Sequence, residues 1–360
     1  TAASAFAAMA ESAGIQDLDR LTVGGELTGL GESLNTMSAT AENVAGDSSA
    51  ASELSGSIEG FEGAQMGISS NASLQGLAQF SNTAAASTST GNADAEAFAQ
   101  QLQGADLTGL KVGGEANVVG QATLSNLSTA EAVTGAAEAE SKMGTGAQGL
   151  VSGDKFDIDP SATTTLSAAG LEVASDAGLT GLASITNNAT AKTSAGSVDA
   201  DAIGTSIQGA NLNTVQIGGV GTIGGQATYG AKATAENVNG GSSDALADLD
   251  NASGLMAGAK LNIASDATIQ GLASITNDAS ATGTGASGTT SATDPSLAAA
   301  TAIGSRAIAE ANTLIGANLA TDTDIGGIGS ITGQVNFGSK GTAENVSGAA
   351  KAVASLGDQG

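Results

Sequence analysis

The chain has 360 residues, 53 of them glycine, a formal net charge of -26, and no cysteine, histidine or tryptophan. Without histidine or cysteine there is no Ser-His-Asp triad, no cysteine nucleophile and no thiolate zinc site, and the acidic balance disfavours nucleic acid as a partner. Aromatic residues make up only 2% of the chain and the mean hydropathy is +0.10, so we expect an ordered but narrow core of small and β-branched side chains.

The first predicted element is the alanine-rich segment Thr1–Gly14. Its composition favours a short helix ended by Gly14, and Ser296–Ile315 has a similar composition near the other end. The start at Thr1, among small residues typical of signal-peptide cleavage, predicts a secreted, extracellular chain. We expect no membrane span, because no apolar run reaches the roughly 18 residues that a span requires.

A long internal repeat follows this segment. Gly-Gly pairs end at positions 25, 114, 219 and 327, and each is followed six residues later by another glycine. These offsets divide one elongated domain into an N-terminal segment 1–14, repeats over about 15–104, 105–209 and 210–316, and a partial repeat 317–360. We interpret the Gly-Gly pairs as chain corners. A glutamate 17 residues after each pair indicates one structural role, such as capping a turn, at Glu42, Glu131, Glu236 and Glu344.

The spacing between repeats predicts the size of one coil. The Gly-Gly pairs are 89, 105 and 108 residues apart, so the repeats differ by 16 and 19 residues. A unit of that size is typical of a β-solenoid coil, and we predict an all-β solenoid of about 20 coils of roughly 16–19 residues, about 95 Å long, with short alanine-rich helices at its ends. Alternation in Thr268–Thr276 supports strands. Asn43, Asn237 and Asn345 are candidates for a stacked amide ladder.

Alternating carboxylates lie in the additional residues of the second repeat. Asp154, Asp157 and Asp159 could offer oxygens to calcium, and the alternative is a solvated loop that binds nothing. A glycosidase is disfavoured because the chain has few aromatic side chains to stack on sugars. We therefore expect no enzyme activity and no cofactor other than this candidate calcium.

Two coil-like segments carry a resemblance to known proteins. The runs IGGVGTIGGQATYG (217–230) and ATIQGLASITN (267–277) resemble secreted β-solenoid repeat proteins of bacterial surfaces and matrices, in particular fibril-forming extracellular matrix proteins of filamentous marine cyanobacteria. The resemblance implies a structural subunit of an extracellular filament and carries no catalytic residues with it. The chain lacks the nonapeptide run of calcium-binding solenoids.

The ends of the solenoid are the remaining candidate site. A solenoid exposes unpaired strand edges at both ends, and a head-to-tail contact that does not close generates a filament. We predict a head-to-tail homopolymer, with divalent cations or a matrix polysaccharide as further partners. The alternative is a cell-surface adhesin or phage-fibre-like binding protein with capped ends. The predicted interface residues are Thr1, Phe6, Met9, Ile15, Val346, Val353 and Leu356.

Overall fold

The computed structural model describes residues 2–16, 18, 21–152, 171–284, 305–319, 322–346 and 349–359. Within these ranges the protein is all-β, and its strands pair in parallel in two sheets, the arrangement expected of a β-solenoid. The chain passes from one sheet to the other and back, so that each coil adds one layer to both sheets.

Among the residues described, the first sheet has twelve strands in eight layers, and the second has seven strands in seven layers. The strands of the first sheet are β1 (Ala3–Met9), β2 (Ser12–Ile15), β3 (Thr22–Val23), β5 (Ser48–Ile68), β7 (Ala93–Val112), β9 (Ala137–Ser152), β10 (Leu171–Val173), β12 (Val198–Ile217), β14 (Ser243–Ile263), β16 (Ser305–Asn318), β17 (Asp322–Ile325) and β19 (Ala350–Gln359). Those of the second are β4 (Leu27–Asn43), β6 (Ala72–Thr90), β8 (Ala116–Thr134), β11 (Ala177–Ala195), β13 (Gly221–Asn237), β15 (Ala267–Gly283) and β18 (Gly329–Asn345).

One coil is much longer than the sequence spacing predicts. Leu27 pairs with Ala72 and Ala72 with Ala116, so register partners in these layers are 45 and 44 residues apart. The predicted coil of 16–19 residues and the count of about 20 coils are therefore wrong. Seven layers of the second sheet give a stack only about 30 Å tall, and a strand of 21 residues makes it about 70 Å wide.

The additional residues of the second repeat do not form an extra coil. Strands β9 and β10 lie in the same layer, before and after residues 153–170, and both pair with β7. The size of that insertion consequently says nothing about the size of a coil. An 89-residue repeat is instead two coils.

Turns on one side of the stack explain why the repeat contains two coils. Gly-Gly turns alternate with turns that end in Asn or Asp, and Asn71 Oδ1 accepts a hydrogen bond of 2.9 Å from the Glu115 N–H of the next coil. A Cβ on Gly114 would lie 2.3 Å from that oxygen, so only glycine fits beneath it. The Gly-Gly pairs are therefore corners, as predicted. The same bond, at 2.7 Å, joins Asp176 to Val220 and Asp266 to Ile328.

A second set of glycines brings the two sheets into backbone contact. A Cβ on Gly225 would lie 2.1 Å from the carbonyl oxygen of Gly254 in the facing sheet. The contact recurs through the stack as a glycine waist. Its members are Gly31, Gly76, Gly120, Gly181, Gly225, Gly271 and Gly333 in the second sheet, facing Gly14, Gly60, Gly104, Gly149, Gly209, Gly254 and Gly316 in the first.

The glycine waist separates two hydrophobic cores. One core, which we call the alanine half, is built mainly of alanines such as Ala95 and Ala97, with occasional larger residues such as Phe80. The other, the leucine half, contains mostly leucine, isoleucine and valine, among them Leu107 and Ile217. Among the described residues three aromatic rings are fully buried, those of Phe61, Phe80 and Tyr229.

The alanine-rich ends are strands, and the helices predicted there are wrong. Ala3–Met9 is β1 and Ser305–Asn318 is β16, while residues 296–304 lie outside the described part of the chain. In these segments alanine alternates with other residues, so every second side chain is small enough to enter the alanine half. Burial against the facing sheet thus outweighs the helix propensity of alanine.

An amide ladder is present, but not at the predicted asparagines. Asn43 and Asn237 are four layers apart, and Asn43 Nδ2 instead donates to the Asp47 carbonyl of its own turn at 2.9 Å. The ladder runs along the outer face of the first sheet. There Gln103 Nε2 donates to Gln148 Oε1 at 3.1 Å, and Gln148 Nε2 donates to Gln208 Oε1 at 2.9 Å.

Buried asparagines bridge the sheets inside the alanine half. Asn126 and Asn187 each donate from Nδ2 to a carbonyl of the facing sheet, at Lys142 (2.9 Å) and Ile203 (2.7 Å), beside irregularities in the strand register. In the next layer Ala231 takes the place of the asparagine, and the hydroxyl of Tyr229 donates to the Asp248 carbonyl at 2.8 Å instead. Each of these layers therefore places a side-chain donor on a backbone carbonyl of the facing sheet.

Candidate functional site: the end faces of the solenoid

The N-terminal end face consists of β4 and the broken first layer β1–β3. Within the described residues, no strand pairs with the outer edge of β4. Three polar side chains close the alanine half here. Ser12 and Ser33 share a hydrogen bond of 2.8 Å, and Asn35 Nδ2 donates to their hydroxyls at 3.0 and 2.9 Å.

This polar trio replaces residues that are apolar deeper in the stack. Ser12 occupies the position of Ile58 in the next layer, and Asn35 that of Phe80. Both Ile58 and Phe80 are fully buried. Polar substitution in a terminal layer is how repeat proteins make an end soluble, so the alanine half is capped at this end. The leucine half is not, because its first layer presents partly buried Ile15, Val23 and Leu27.

The C-terminal end face consists of β18 and β19, and it is apolar. Ile331 and Val335 are 52% and 44% exposed, although their side chains point along the same direction as the interior positions beneath them. Their partners in the previous layer, Ile269 and Ala273, are completely buried. The outer edge of β18 has no pairing partner among the residues described.

Strand β19 covers only part of this face. It pairs with β16 from Ser305 to Leu314 and so lies over the alanine half, where Phe337 and Leu356 are partly buried against the core. Over the leucine half, Ile331 remains exposed beside partly buried Ile325. Over the leucine half the C-terminal face therefore lies about one strand lower than over the alanine half, and the surface exposed there is apolar.

The predicted interface residues do not form one surface. Met9 and Ile15 point into the first layer of the two cores, and Leu356 into the last layer of the alanine half. Phe6 lies on the outer face of the first sheet and is 67% exposed. Val346 lies in a turn, Val353 pairs with Ile308 within the first sheet, and Thr1 lies outside the described residues.

Sequence reasoning missed the residues that distinguish the two ends. Ser12, Ser33 and Asn35 could have been found by aligning every coil and noting polar residues at apolar positions. Ile331 and Val335 could not, because their sequence is that of an ordinary interior strand. The candidate calcium ligands Asp154, Asp157 and Asp159 fall outside the residues that the structure describes.

A block of carboxylates dominates the electrostatics of the outer surface. Asp199 and Asp201 in β12 lie in register with Glu138 and Glu140 of β9. Burial, then the charges of Asp201, Asp244 and Glu138, raise the pKa of Asp199 to about 8. Burial and the charge of Asp244 raise the pKa of Asp201 to about 6. This acidic block, covering the outer surface of the alanine half, consists of Asp94, Glu96, Glu138, Glu140, Asp199, Asp201 and Asp244.

Two cations sit beside the acidic block. Arg306 Nε donates to Asp244 Oδ1 at 2.8 Å, and a second bond joins its Nη2 to Oδ2. Lys142 pairs with Glu140. In the part of the chain with described coordinates, no three acidic side chains are grouped so as to hold a metal ion. No helix there is long and apolar enough to cross a membrane.

Comparison with known proteins gives no relative. No protein-family model matches the sequence, and no curated protein and no solved structure shows significant similarity to it.

Proposed function

We propose that the protein is a structural, non-enzymatic subunit of an extracellular filament that polymerises head to tail through its solenoid ends. The observation that carries this proposal is the apolar C-terminal end face, where Ile331 and Val335 are exposed at positions that are buried in the preceding layer. An unpaired edge with its inward side chains exposed is a template for a further strand.

The leucine half supports a directional, head-to-tail contact. It is apolar at both ends, through Ile15, Val23 and Leu27 at one and Ile325 and Ile331 at the other. Stacking one end on the other removes these side chains from water. Because the two faces differ, the contact is heterologous and repeats without closing.

The net charge of -26 opposes this association. Subunits of like charge repel over about 8–10 Å at physiological ionic strength, so we expect added salt, calcium or magnesium to promote assembly. The acidic surface also suits divalent cations or a cationic matrix polymer as partners of the filament.

A capped adhesin is the second candidate, and one observation favours it. The polar trio Ser12, Ser33 and Asn35 closes half of the N-terminal face with its own hydrogen bonds. If that cap suffices to prevent stacking, the chain functions through a lateral surface as a monomer or small oligomer.

Electron microscopy of the purified full chain separates the two candidates. We expect filaments at neutral pH in the presence of calcium and magnesium, becoming shorter and rarer at low ionic strength. Monodisperse particles about 30 Å tall at every protein and salt concentration would contradict the filament and favour the adhesin.

A further inference from the structure

Four exposed valines occupy equivalent positions, at the ends of second-sheet strands, in every second coil. Val44, Val238 and Val346 each follow the last residue of a strand, and Val133 is the second-last residue of β8; in chain order the four valines are 79%, 54%, 59% and 84% exposed. With a layer spacing of about 4.8 Å, they form a straight row with one valine every ~9.6 Å. We call this row the valine stripe.

Small hydroxyl residues occupy the stripe in the intervening coils. The positions between the valines are held by Ser89, Ser194 and Thr284. Ser89 and Ser194 lie between register pairs at the ends of β6 and β11, and Thr284 follows the last register pair of β15. Along the stripe, a large apolar residue therefore alternates with a small polar residue from one layer to the next. Since the valines are exposed, packing within this chain does not require them.

A neighbouring column of charges follows the same alternation. Two residues before each valine is a glutamate, at Glu42, Glu131, Glu236 and Glu344, and the intervening layers carry Ser87, Lys192 and Thr282. These glutamates lie on the outer face of the second sheet, and the predicted turn-capping role stays a prediction. Lys192 Nζ lies 3.1 Å from Glu236 Oε2.

We propose that the valine stripe is a lateral interface with a second copy of this chain, displaced by one coil. In an antiparallel copy each column faces its own counterpart, and the displacement then places each valine opposite a serine or threonine of the partner and Lys192 opposite a partner glutamate. Without it, valine would meet valine and glutamate would meet glutamate, which repels. Both columns therefore select the same offset, and this common alternation identifies the occupant as another copy.

The interface is too small to hold isolated subunits in a stable dimer, so in solution they meet there only transiently. Seven layers are about 30 Å long, and the stretch from Thr40 to Val44 is about 13 Å wide, so each partner contributes roughly 400 Å². Stable interfaces bury about 1,200 Å² or more in total. Repetition along a filament multiplies the contact, so the inference rests on the proposed filament for its strength and describes how filaments bundle.

Paired cysteine variants test the offset without requiring filaments, because a crosslinker accumulates covalent dimers from contacts that form only transiently. The chain contains no cysteine, so Val133→Cys and Ser194→Cys each introduce a single thiol. The two variants are mixed in equal amounts, treated with a short bismaleimide, and the covalent dimers are identified by intact mass. We expect mixed dimers to exceed the half that random pairing gives, severalfold over either homodimer. A random distribution, an excess of Val133→Cys homodimers, or no dimers would overturn the proposal.

Filament bundling provides the second readout. The variant Val44→Ser, Val133→Ser, Val238→Ser, Val346→Ser should form single filaments that no longer bundle. The matched control changes four exposed apolar residues outside the stripe, as Leu30→Ser, Leu34→Ser, Leu127→Ser and Val220→Ser, and should bundle like the unmodified chain. Equal bundling of both variants would contradict the lateral interface. Absence of filaments from the unmodified chain would contradict the proposed function, while the cysteine experiment would still decide the interface.

Discussion

The alanine half and the leucine half share one backbone register but differ in their core side chains, their outer surfaces and their exposure at the C-terminal face. In the alanine half the core contains alanines, buried asparagines and Tyr229, and its outer surface carries the acidic block. The leucine half is filled by larger aliphatic side chains and lies open at the C-terminal face. A parallel stack therefore fixes which residues are neighbours, whereas side-chain size fixes how the sheets pack and which half is available for assembly.

The glycine waist separates the two cores, whose side chains differ in size. Two cores filled by side chains of different size share the same pair of sheets, and the sheets meet between them. Gly225 and Gly254 provide that contact in one layer, with room for no Cβ.

The waist should be the most sensitive position in the molecule. Gly225→Ala places a Cβ 2.1 Å from the Gly254 carbonyl oxygen, and we expect it to lower the free energy of unfolding by at least about 3 kcal/mol. Gly224→Ala is the matched control, because its Cβ would contact only the Thr180 hydroxyl, at 4.0 Å. Urea unfolding followed by circular dichroism measures both. Equal loss from the two substitutions would show that the sheets do not need backbone contact.

The two cores should respond in opposite ways to changes of side-chain size. Leu179 is fully buried in the leucine half, and Leu179→Ala should cost roughly 2–5 kcal/mol by leaving a cavity. Ala189 is fully buried in the alanine half, and Ala189→Leu should cost roughly 1–3 kcal/mol by overpacking. Thermal unfolding of both variants checks this. Tolerance of leucine at position 189 would mean that the alanine half is not narrow.

The buried polar bridges of the alanine half should be interchangeable. Tyr229→Phe removes the donor to the Asp248 carbonyl, and we expect a loss of about 1–3 kcal/mol because that carbonyl is left without its partner. Adding Ala231→Asn should recover part of the loss, since asparagine supplies the donor at this position in neighbouring layers. A double variant no more stable than Tyr229→Phe would contradict the equivalence of the two donors.

The acidic block should make the alanine half more stable in acid. Asp199 and Asp201 have pKa values raised above the ordinary value, so they bind protons more tightly in the folded chain than in the unfolded chain. Stability is then greatest near pH 4 and falls as pH rises towards about 8, with the sign required by proton linkage. Asp199→Asn with Asp201→Asn should raise the melting temperature at pH 8 and flatten its pH dependence. Asp278→Asn, on the other sheet, should leave the profile unchanged.

The sequence predicts the all-β class, the parallel repeat and the corners because these follow from local residue patterns. Gly114 is a corner since a neighbouring coil's Asn71 oxygen leaves no room for a side chain, and the repeated Gly-Gly pair reveals that constraint. The coil length is not predictable in the same way. Two unlike coils alternate, so identical motifs recur every second layer, and the insertion size bears no relation to the coil.

The two ends of the chain, which form the candidate site, could be predicted from the sequence only in part. Alanine composition alone suggests a helix at Ala3–Met9, whereas its period of two, seen also at Ala93, Ala95 and Ala97, indicates a strand that faces the core on one side. The exposure of Ile331 depends on the extent of β19 above it. Because β18 and β19 are different segments of the chain, the sequence around Ile331 alone does not reveal this exposure.

Sedimentation of two charged variants of β18 tests the assembly of end faces most directly. Ile331→Glu with Val335→Glu places carboxylates on the apolar C-terminal face, whereas Thr332→Glu with Asn336→Glu places the same charge on the outward side of the same strand. In the presence of calcium and magnesium, we expect the first variant to sediment as a folded monomer and the second to form filaments like the unmodified chain. Filaments from the first variant, or their loss in both, would contradict assembly through this face.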